Sequence, residues 1–434
     1  MAYRFDTARD ERFLPLQLIC RRMLLSNPMR KFLLAFLLAA LAYAADSHPR
    51  VRAITAFVEV DRNNPTAAIE DAGKFLAIAK DAVNKAGFEG GAGRVTTQPF
   101  PSYTKGLNRH DALALLRKMQ DAGDKDKVIL CIGPSMLHDS DDTASVDVLI
   151  DVISQGSVSG NIVIADEQGI HWRAIPEAAK TIKSISMGTP HGDANRDFSA
   201  LAMIPPYGPY YPSSYHVGKG HVFTLALEGA NVVQEVFGKY RDPREAEQQL
   251  IAEFTRYGKE LETVALAIQK STGWKYQGID LTPAPQRERS IGAAIESFTG
   301  GPFGSSDTVA AAGLITRALL ATPIKRAGTS GPMLPVMEDP IMSKRWGEGT
   351  YNLASLLAYS AVGANGLETV PLPGDITEEQ IAHILADVAT VAYKDKTPMS
   401  ARLLPSPGHK PGDKTDFTGY LINTTLQPLP GAGR

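Results

Sequence analysis

Short apolar runs that alternate with amphipathic helical patterns constrain the fold of this chain more than any other feature. The first run, Arg52 to Asp61, is rich in β-branched and aromatic residues, and a long helical pattern follows it. Later runs read KVILCIGP, NIVIAD, FSALAMIPPY and HVFTLALEG, and helical patterns precede KVILCIGP and follow NIVIAD and HVFTLALEG. Strands that are apolar along their whole length and separated by helices are typical of a mostly parallel sheet covered on both faces. The pattern therefore predicts an α/β fold.

The second half of the chain continues the alternation without a break. A long amphipathic helix is predicted from Glu245 to Ser271, followed by a strand that ends at Asp280. Further helices are predicted at Arg289–Phe298, Thr308–Ala321, Tyr351–Val362 and Thr377–Tyr393, and further strands at GLETVPLP and SARLLP. No Pro/Gly/Ser-rich linker and no fixed repeat divides the chain. Residues 45–434 are therefore predicted to form a single domain.

The net charge argues against nucleic acid as a binding partner. The 45 basic and 47 acidic residues give a net charge of −2, so the chain has no basic field for nucleic acid. We expect a small-molecule ligand, with a homo-oligomer as the possible protein partner. No sequence pattern identifies a cofactor.

The N-terminal segment has the order of a secretory signal. Residues 29–44 contain Arg30 and Lys31, an apolar run from Phe32 to Leu41, and the exit Ala42-Tyr43-Ala44. The apolar run is shorter than the roughly 20 residues that span a bilayer. The pattern predicts cleavage after Ala44 and an exported protein, periplasmic or secreted, with no membrane association afterwards; a retained anchor is the alternative. Residues 1–28 are interpreted as an upstream extension from a start codon placed too early.

Cysteine usage gives little indication of chemistry. Cleavage would remove Cys20 and leave Cys131, which lies in the apolar run KVILCIGP. A single thiol in such a run is most often a small core residue, and no neighbour in the sequence would lower its pKa. We expect Cys131 to be buried and without a catalytic role.

Three strand ends carry the polar side chains most suited to chemistry. Ligands of α/β sheets bind at the carboxyl ends of the strands, where the loops converge. One predicted strand ends in the tyrosine-rich loop PPYGPYYPSSYHVGKGH, another at Asp280 before two prolines, and a third before Glu338 and Asp339. These loops contribute the catalytic candidates Asp280, His216 and Glu338.

Three interpretations of the tyrosine-rich loop remain open. A Ser-His-Asp hydrolase would use Ser213 or Ser214 with His216 and Asp280, but the G-x-S-x-G turn is absent. A metal site would use His216, His221, Asp280 and Glu338, but the histidine spacing of five matches no familiar ligand motif. We therefore expect no metal. In the third interpretation the loop covers the sheet and His216 makes an ordinary hydrogen bond.

Several segments resemble a known family. They read RAITAF, YHVGKGHVFTLALEGANVV, GIDLTPAP, GPMLPVMED, LETVPLPGDITEEQIAHILADVATVA and SARLLP. Together they resemble the family called domain of unknown function 711. The resemblance implies a fold similar to pyruvate formate-lyase: a ten-stranded barrel of two opposed five-stranded parallel half-sheets surrounded by helices. In that barrel the polar loops would face one another.

The chain departs from the family pattern in three respects. Lys219 and Gly220 replace an acidic residue of a family loop, and a signal precedes a domain that is usually cytoplasmic. Glycyl radical chemistry is not implied, because the chain lacks an adjacent cysteine pair and its C-terminus TLQPLPGAGR lacks the radical-site pattern.

The sequence favours an enzyme that acts on a small polar or anionic metabolite by acid/base chemistry. Asp280 or Glu338 would be the base, His216 the proton partner, and Arg402 the group that pairs with an anion. The predicted substrate-binding residues are Tyr207, Ser214, Tyr215, Thr282, Ser290, Ser330 and Arg402. The alternative is an exported binding protein without turnover, which an Asp280→Asn variant should distinguish by losing binding rather than turnover alone.

Overall fold

The structure is a computed structural model that describes residues 48–156, 158–286, 289–363 and 365–429. The predicted signal peptide and the extension before it lie outside the described residues. From His48 onward the chain forms one compact unit.

The described residues form ten strands and twelve helices, most of them at positions that the sequence predicted. The strands are β1 (Arg50–Val58), β2 (Gly90–Thr97), β3 (Ile129–Pro134), β4 (Val158–Asp166), β5 (Gly169–Ile170), β6 (Phe198–Ala202), β7 (Val222–Glu228), β8 (Lys275–Asp280), β9 (Gly366–Pro373) and β10 (Met399–Ser406). The helices are α1 (Ala67–Lys85), α2 (Pro101–Thr104), α3 (Arg109–Lys125), α4 (Ala144–Gln155), α5 (Ala174–Gly188), α6 (Ala230–Lys239), α7 (Pro243–Thr272), α8 (Ile291–Thr299), α9 (Thr308–Ala321), α10 (Pro340–Gly347), α11 (Leu353–Gly363) and α12 (Glu378–Asp395). A 3₁₀ segment, Pro190–Asp197, precedes β6.

The strands form two parallel groups that run in opposite directions. The order in the sheet is β8-β7-β1-β2-β3-β4-β6-β10-β9, with β5 paired only to β4. Strands β1, β2, β3, β4 and β6 are mutually parallel and form a five-stranded half-sheet. Strands β7 and β10 join its two edges antiparallel, and β8 and β9 run parallel to them. This arrangement confirms the predicted fold class.

Each end of the sheet has one isolated bridge to irregular backbone. Arg326 makes a parallel bridge to Ile279 of β8, and Pro335 makes one to Glu368 of β9. No regular strand joins β8 to β9 among the described residues. The second group therefore has four strands, β7, β8, β9 and β10, rather than the five that the family fold implied.

The two faces of each inner strand have different partners. In β1, Ile54, Ala56 and Val58 belong to the main apolar core, to which the surrounding helices also contribute. Thr55, between them, instead hydrogen-bonds the carbonyl of Pro209. Because successive side chains of a strand point to opposite faces, β1 presents apolar residues to the helices and polar residues to the interior.

The loop of residues 204–217, here called the inner loop, runs through the interior of the sheet. Asn161 of β4 donates to the carbonyls of Pro212 and Ser214, at 2.8 and 2.9 Å. Arg94 of β2 donates to the carbonyl of Pro209 at 2.7 Å. An irregular buried segment needs side-chain partners for its backbone, which explains the polar residues within these apolar strands. The predicted tyrosine-rich covering loop is therefore an internal loop.

Cys131 of β3 faces this inner loop. Its thiol is fully buried and donates to the carbonyl of Ser214 at 3.2 Å. Burial raises the pKa of the thiol to about 12. The expected position in the core is thus confirmed.

We predict that Cys131 resists thiol reagents in the native protein, because the reagent needs both access and the thiolate. Labelling should appear only in denaturant, as followed by mass spectrometry. A Cys131→Ser variant should fold and keep the same ligand binding, since the serine hydroxyl can also donate to Ser214. Rapid native labelling would contradict this prediction.

Candidate functional site

A cavity of about 620 Å³ lies at the end of the sheet where β1 to β4 begin and β7 ends. Because the two strand groups run in opposite directions, this end receives amino ends from one group and carboxyl ends from the other. The charged residues that line the cavity are Arg52, Arg94, Arg196, Asp197, Glu228, Glu338 and Arg402. Tyr211 and Ser159 add hydroxyl groups to its wall.

Part of this charge is neutralised by a buried network around Arg402. Arg402 donates to Glu338 at 2.7 Å and also to Glu368, and Glu338 lies 3.5 Å from Arg52. Burial alone would raise the pKa of Glu338, but the guanidinium groups of Arg402 and Arg52 hold it below its usual value. Glu338 therefore stays ionised and holds Arg402 and Arg52. A carboxylate with a lowered pKa is a weak base, so this residue does not suit the predicted role of general base.

Arg94 is the cation of the cavity that has no carboxylate partner among the described residues. Its Nη1 donates to the carbonyl of Pro209, and its guanidinium lies 4.8 Å from the ring centre of Tyr211. Its Nε is buried without an acceptor in the described structure. Burial and the neighbouring Arg52 lower the pKa of Arg94 to about 10, so it remains charged at neutral pH. An anion that enters the cavity would relieve both effects.

Asp197 joins the 3₁₀ segment to β6, and the pKa of its carboxyl group suits acid/base chemistry. Burial raises the pKa of its carboxyl to about 6, although Arg196 and Arg402 favour the charged form. About a third of the side chain, 33%, is accessible. The Ser159 hydroxyl lies 3.5 Å from its Oδ1. A carboxyl group with this pKa can accept and return a proton near neutral pH.

Glu228, the last residue of β7, is the second carboxyl group of the cavity with a raised pKa. Burial raises the pKa of Glu228, against the opposing effects of Arg52 and Arg50. The residue is fully buried, and neither carboxylate oxygen has a hydrogen-bond partner in the described structure.

The predicted base Asp280 has a structural role. Its carboxylate accepts from the backbone N–H groups of Thr282, Thr329 and Ser330 and from the Thr282 hydroxyl, at 2.5 to 3.2 Å. Any side chain at Gly328 would collide with it. Its burial was expected, and burial raises its pKa to about 6 despite these donors. Asp280 holds the turn at Gly328 against the end of β8, which accounts for an aspartate followed by prolines at this position.

The predicted proton partner His216 lies elsewhere in the interior. It is fully buried, and its ring centre lies 6.3 Å from that of Phe57 and 5.5 Å from that of Tyr207. Neither ring nitrogen has a partner in the described structure. Burial lowers the pKa of His216 to about 4, so the imidazole is neutral at physiological pH. The ordinary hydrogen bond expected in one interpretation of the loop is not found among the described residues.

The three predicted catalytic residues therefore lie in three different parts of the protein. Of the three, Glu338 alone lines the cavity of about 620 Å³. Of the predicted substrate-binding residues, Arg402 lines it as well. Tyr207 and Ser330 line a second cavity of about 680 Å³ beside α9 and α11.

The remaining predicted substrate-binding residues have structural contacts. Ser290 caps α8 and donates to Asp339. The hydroxyl groups of Ser214 and Tyr215 bind backbone carbonyls within the inner loop, and Thr282 binds Asp280. Within the described ranges no group of His, Cys, Asp and Glu side chains is placed to hold a metal ion.

Sequence reasoning missed Arg52, Arg94, Asp197 and Glu228. It considered the carboxyl ends of strands, whereas Arg52 and Asp197 lie near amino ends and Arg94 lies in the middle of β2. A usable signal was present: arginine at the interior-facing position of a strand whose other residues are small or apolar is costly unless the charge has a use.

Fold and cavity together define an α/β protein of opposed half-sheets with a cavity lined by arginines. The chain belongs to the family described as Uncharacterised ACR (DUF711), whose profile matches residues 44–419. This finding confirms the family resemblance and most of its extent.

Relatives in archaea share part or most of the chain. A UPF0210 protein from Pyrobaculum arsenaticum is 31% identical over 265 residues, which cover 58% of this chain and 57% of the relative. Its counterpart from Pyrobaculum aerophilum is 32% identical over 276 residues, and the match spans 59% of that relative. A UPF0210 protein from Methanopyrus kandleri is 25% identical over 84% of this chain and 85% of its own length.

Among solved structures, the anaerobic ribonucleotide reductase from Thermotoga maritima in complex with dATP and CTP is similar over 81% of this chain and 74% of its own. The TM-score is 0.40 and the sequence identity 8%, so the likeness does not identify functional residues. No helix in the described part of the chain is long and apolar enough to cross a membrane.

Proposed function

We propose that the protein is an enzyme that binds a small organic acid in the arginine-lined cavity and transfers a proton through Asp197. The observation that carries this proposal is the presence of Arg94, a cation without a carboxylate partner among the described residues, in the same cavity as a carboxyl group with a pKa of about 6. A purely structural cavity needs neither feature.

Arg94 suits the binding of a carboxylate or phosphate. Its guanidinium is oriented by the Pro209 carbonyl and by the ring of Tyr211, which leaves Nε without a protein acceptor in the described structure. A planar guanidinium binds such anions by two hydrogen bonds, and partial burial strengthens them. The other arginines are less available, since Arg402 is engaged by two glutamates and Arg52 by one.

Asp197 suits the chemical step in which a proton is taken from the bound acid. In its ionised form it can accept a proton from a carbon or oxygen of the ligand, and the same carboxyl group can return it. Glu338 and Arg402 stay charged, so that protonation changes among the carboxyl groups of the cavity are confined to Asp197 and Glu228.

Proton transfer can be tested without knowledge of the full reaction. The protein is incubated in D₂O with a set of small 2-oxo, 2-hydroxy and dicarboxylic acids, and NMR follows the loss of the C–H signal next to the ketone of the 2-oxo acids and next to the carboxylate of the others. We expect exchange with at least one member of the set. Binding of the acids without exchange would favour a binding protein without turnover, and the absence of binding would contradict the proposed site.

We also propose that the protein is exported, on the basis of the N-terminal pattern at residues 29–44. Expressed in a bacterium with a periplasm, the mature protein should begin at Ala45 and be released by osmotic shock. N-terminal sequencing decides this prediction, because a soluble protein that begins at Met1 or Met29 would contradict it.

A further inference from the structure

We propose that the ligand of the arginine-lined cavity is a zwitterion of extended shape, with an acid group at one end and a protonated amine at the other. This inference rests on the proposed function and adds the amine. Arg94 is assigned to the acid group, and Glu228 is assigned to the amine.

Glu228 is the observation that points to a cationic group. Its side chain is fully buried and lines the cavity, yet neither oxygen accepts a hydrogen bond in the described structure. Arg52, Arg50 and Arg289 favour its charged form electrostatically, but none of them donates a hydrogen bond to it in the described structure. A buried carboxylate without donors is costly, and a ligand ammonium would supply up to three donors and a compensating charge.

A ligand with only an acid group would not offset the cost of burying the Glu228 carboxylate without a hydrogen-bond donor. It would satisfy Arg94, but Glu228 would remain buried and unpaired in the described structure. A ligand that carries an acid group and an ammonium group can bind Arg94 and Glu228 at the same time. Each of these two desolvated side chains then gains a hydrogen bond to a group of opposite charge.

The two residues cannot neutralise each other because the sheet holds them apart. Arg94 on β2 is level with Thr55 of β1, whereas Glu228 on β7 is level with Arg50. With β1 between them, the backbones are about 10 Å apart across the strands and about 15 Å apart along them. This separation exceeds the spacing of acid and amine in an α-amino acid, and a volume of about 620 Å³ admits a longer molecule.

The test compares matched acids that differ only in a terminal amine. Calorimetry at pH 8 measures the affinities of 6-aminohexanoate and hexanoate, of 4-aminobutyrate and butyrate, and of glycylglycine and N-acetylglycine. We expect at least one amine-bearing member to bind about tenfold or more tightly than its partner, since a hydrogen bond between charged groups is worth that much. L-Alanine, in which the two charges are close together, should show no gain over propionate.

The variant Glu228→Gln tests whether Glu228 is responsible for the preference for the amine. It should remove the preference for the amine-bearing member of each pair, and it should fold because it replaces a buried carboxyl group by a neutral amide of the same shape. Glu235→Gln on the exposed face of α6 is the matched control and should keep the preference.

The outcomes separate this inference from the proposed function. If the plain acids bind as tightly as the amine-bearing ones, or if Glu228→Gln keeps the preference, the zwitterion is excluded while the acid-binding site stands. If neither member of any pair binds, the proposed function fails and the inference fails with it.

Discussion

Replacement of Arg402 by methionine is expected to lower the free energy of unfolding by about 3–5 kcal/mol. Arg402 is buried and holds two buried carboxylates, Glu338 and Glu368. Methionine fills much of the same volume but leaves both acids without their main cation, and an unpaired buried charge costs several kcal/mol. Chemical denaturation monitored by circular dichroism measures the loss.

The matched control is Arg317→Met, which removes an arginine from an exposed pair with Glu247 at 2.9 Å. This substitution should cost less than about 1 kcal/mol, because exposed ion pairs contribute little. The triple variant with Arg402→Met, Glu338→Gln and Glu368→Gln should recover part of the lost stability. Equal losses for Arg402→Met and Arg317→Met would contradict the buried network.

Replacement of Asp197 by asparagine is expected to reduce proton exchange on a bound acid by roughly 10² to 10⁴, the usual contribution of a general base. Asparagine keeps the shape of the side chain and can still accept from Ser159, so acid binding should be retained. The rate of exchange in D₂O and the affinity by calorimetry separate the two effects. Asp121→Asn, on the exposed face of α3, is the control and should change neither.

The same substitution should increase stability at neutral pH. The pKa of Asp197 is raised from 3.8 to about 6 in the folded protein, so the native state binds a proton more readily than the unfolded state. This tighter binding of the proton contributes to the free energy of unfolding fully below pH 4, and the contribution is lost as the pH rises through 6. Asp197→Asn should therefore melt at a higher temperature than the wild type at pH 7, with the difference disappearing below pH 4. A lower melting temperature at pH 7 would show that the carboxylate stabilises the fold.

The order of elements was predictable because it depends on local patterns. Continuous apolar runs such as those of β3 and β4 identify strands buried on both faces, and the long helix α7 begins after the cap of Asp242. Helices α4 and α10 were not predicted. Helix α10 has only eight residues between proline and glycine, too short for its spacing to be distinctive.

The relative direction of the strands was harder to predict. The run that forms β7 has the same apolar character as β1, but it lies antiparallel to it, and only the family resemblance implied two opposed groups. Apolar composition reports burial, and it does not report the direction in which a strand enters the sheet.

The site was missed for the same physical reason. In opposed half-sheets, the amino ends of one group lie beside the carboxyl ends of the other, so Arg52 near the start of β1 and Glu228 at the end of β7 line the same cavity. Asp280 was correctly placed at a strand end, but two of its four donors, the N–H groups of Thr329 and Ser330, come from a turn far along the chain, and no local pattern reveals them.

A crystal soaked with 4-bromobenzoate tests most directly whether the arginine-lined cavity binds small acids. The anomalous signal of bromine locates the molecule independently of its orientation. We predict a bromine peak inside the cavity of Arg94 and Asp197, with the carboxylate at hydrogen-bond distance from the Arg94 guanidinium, and no such peak in an Arg94→Met crystal. Bromine found only in the second cavity beside Gly328 and Ser330, or an undiminished peak in Arg94→Met, would contradict the proposed site.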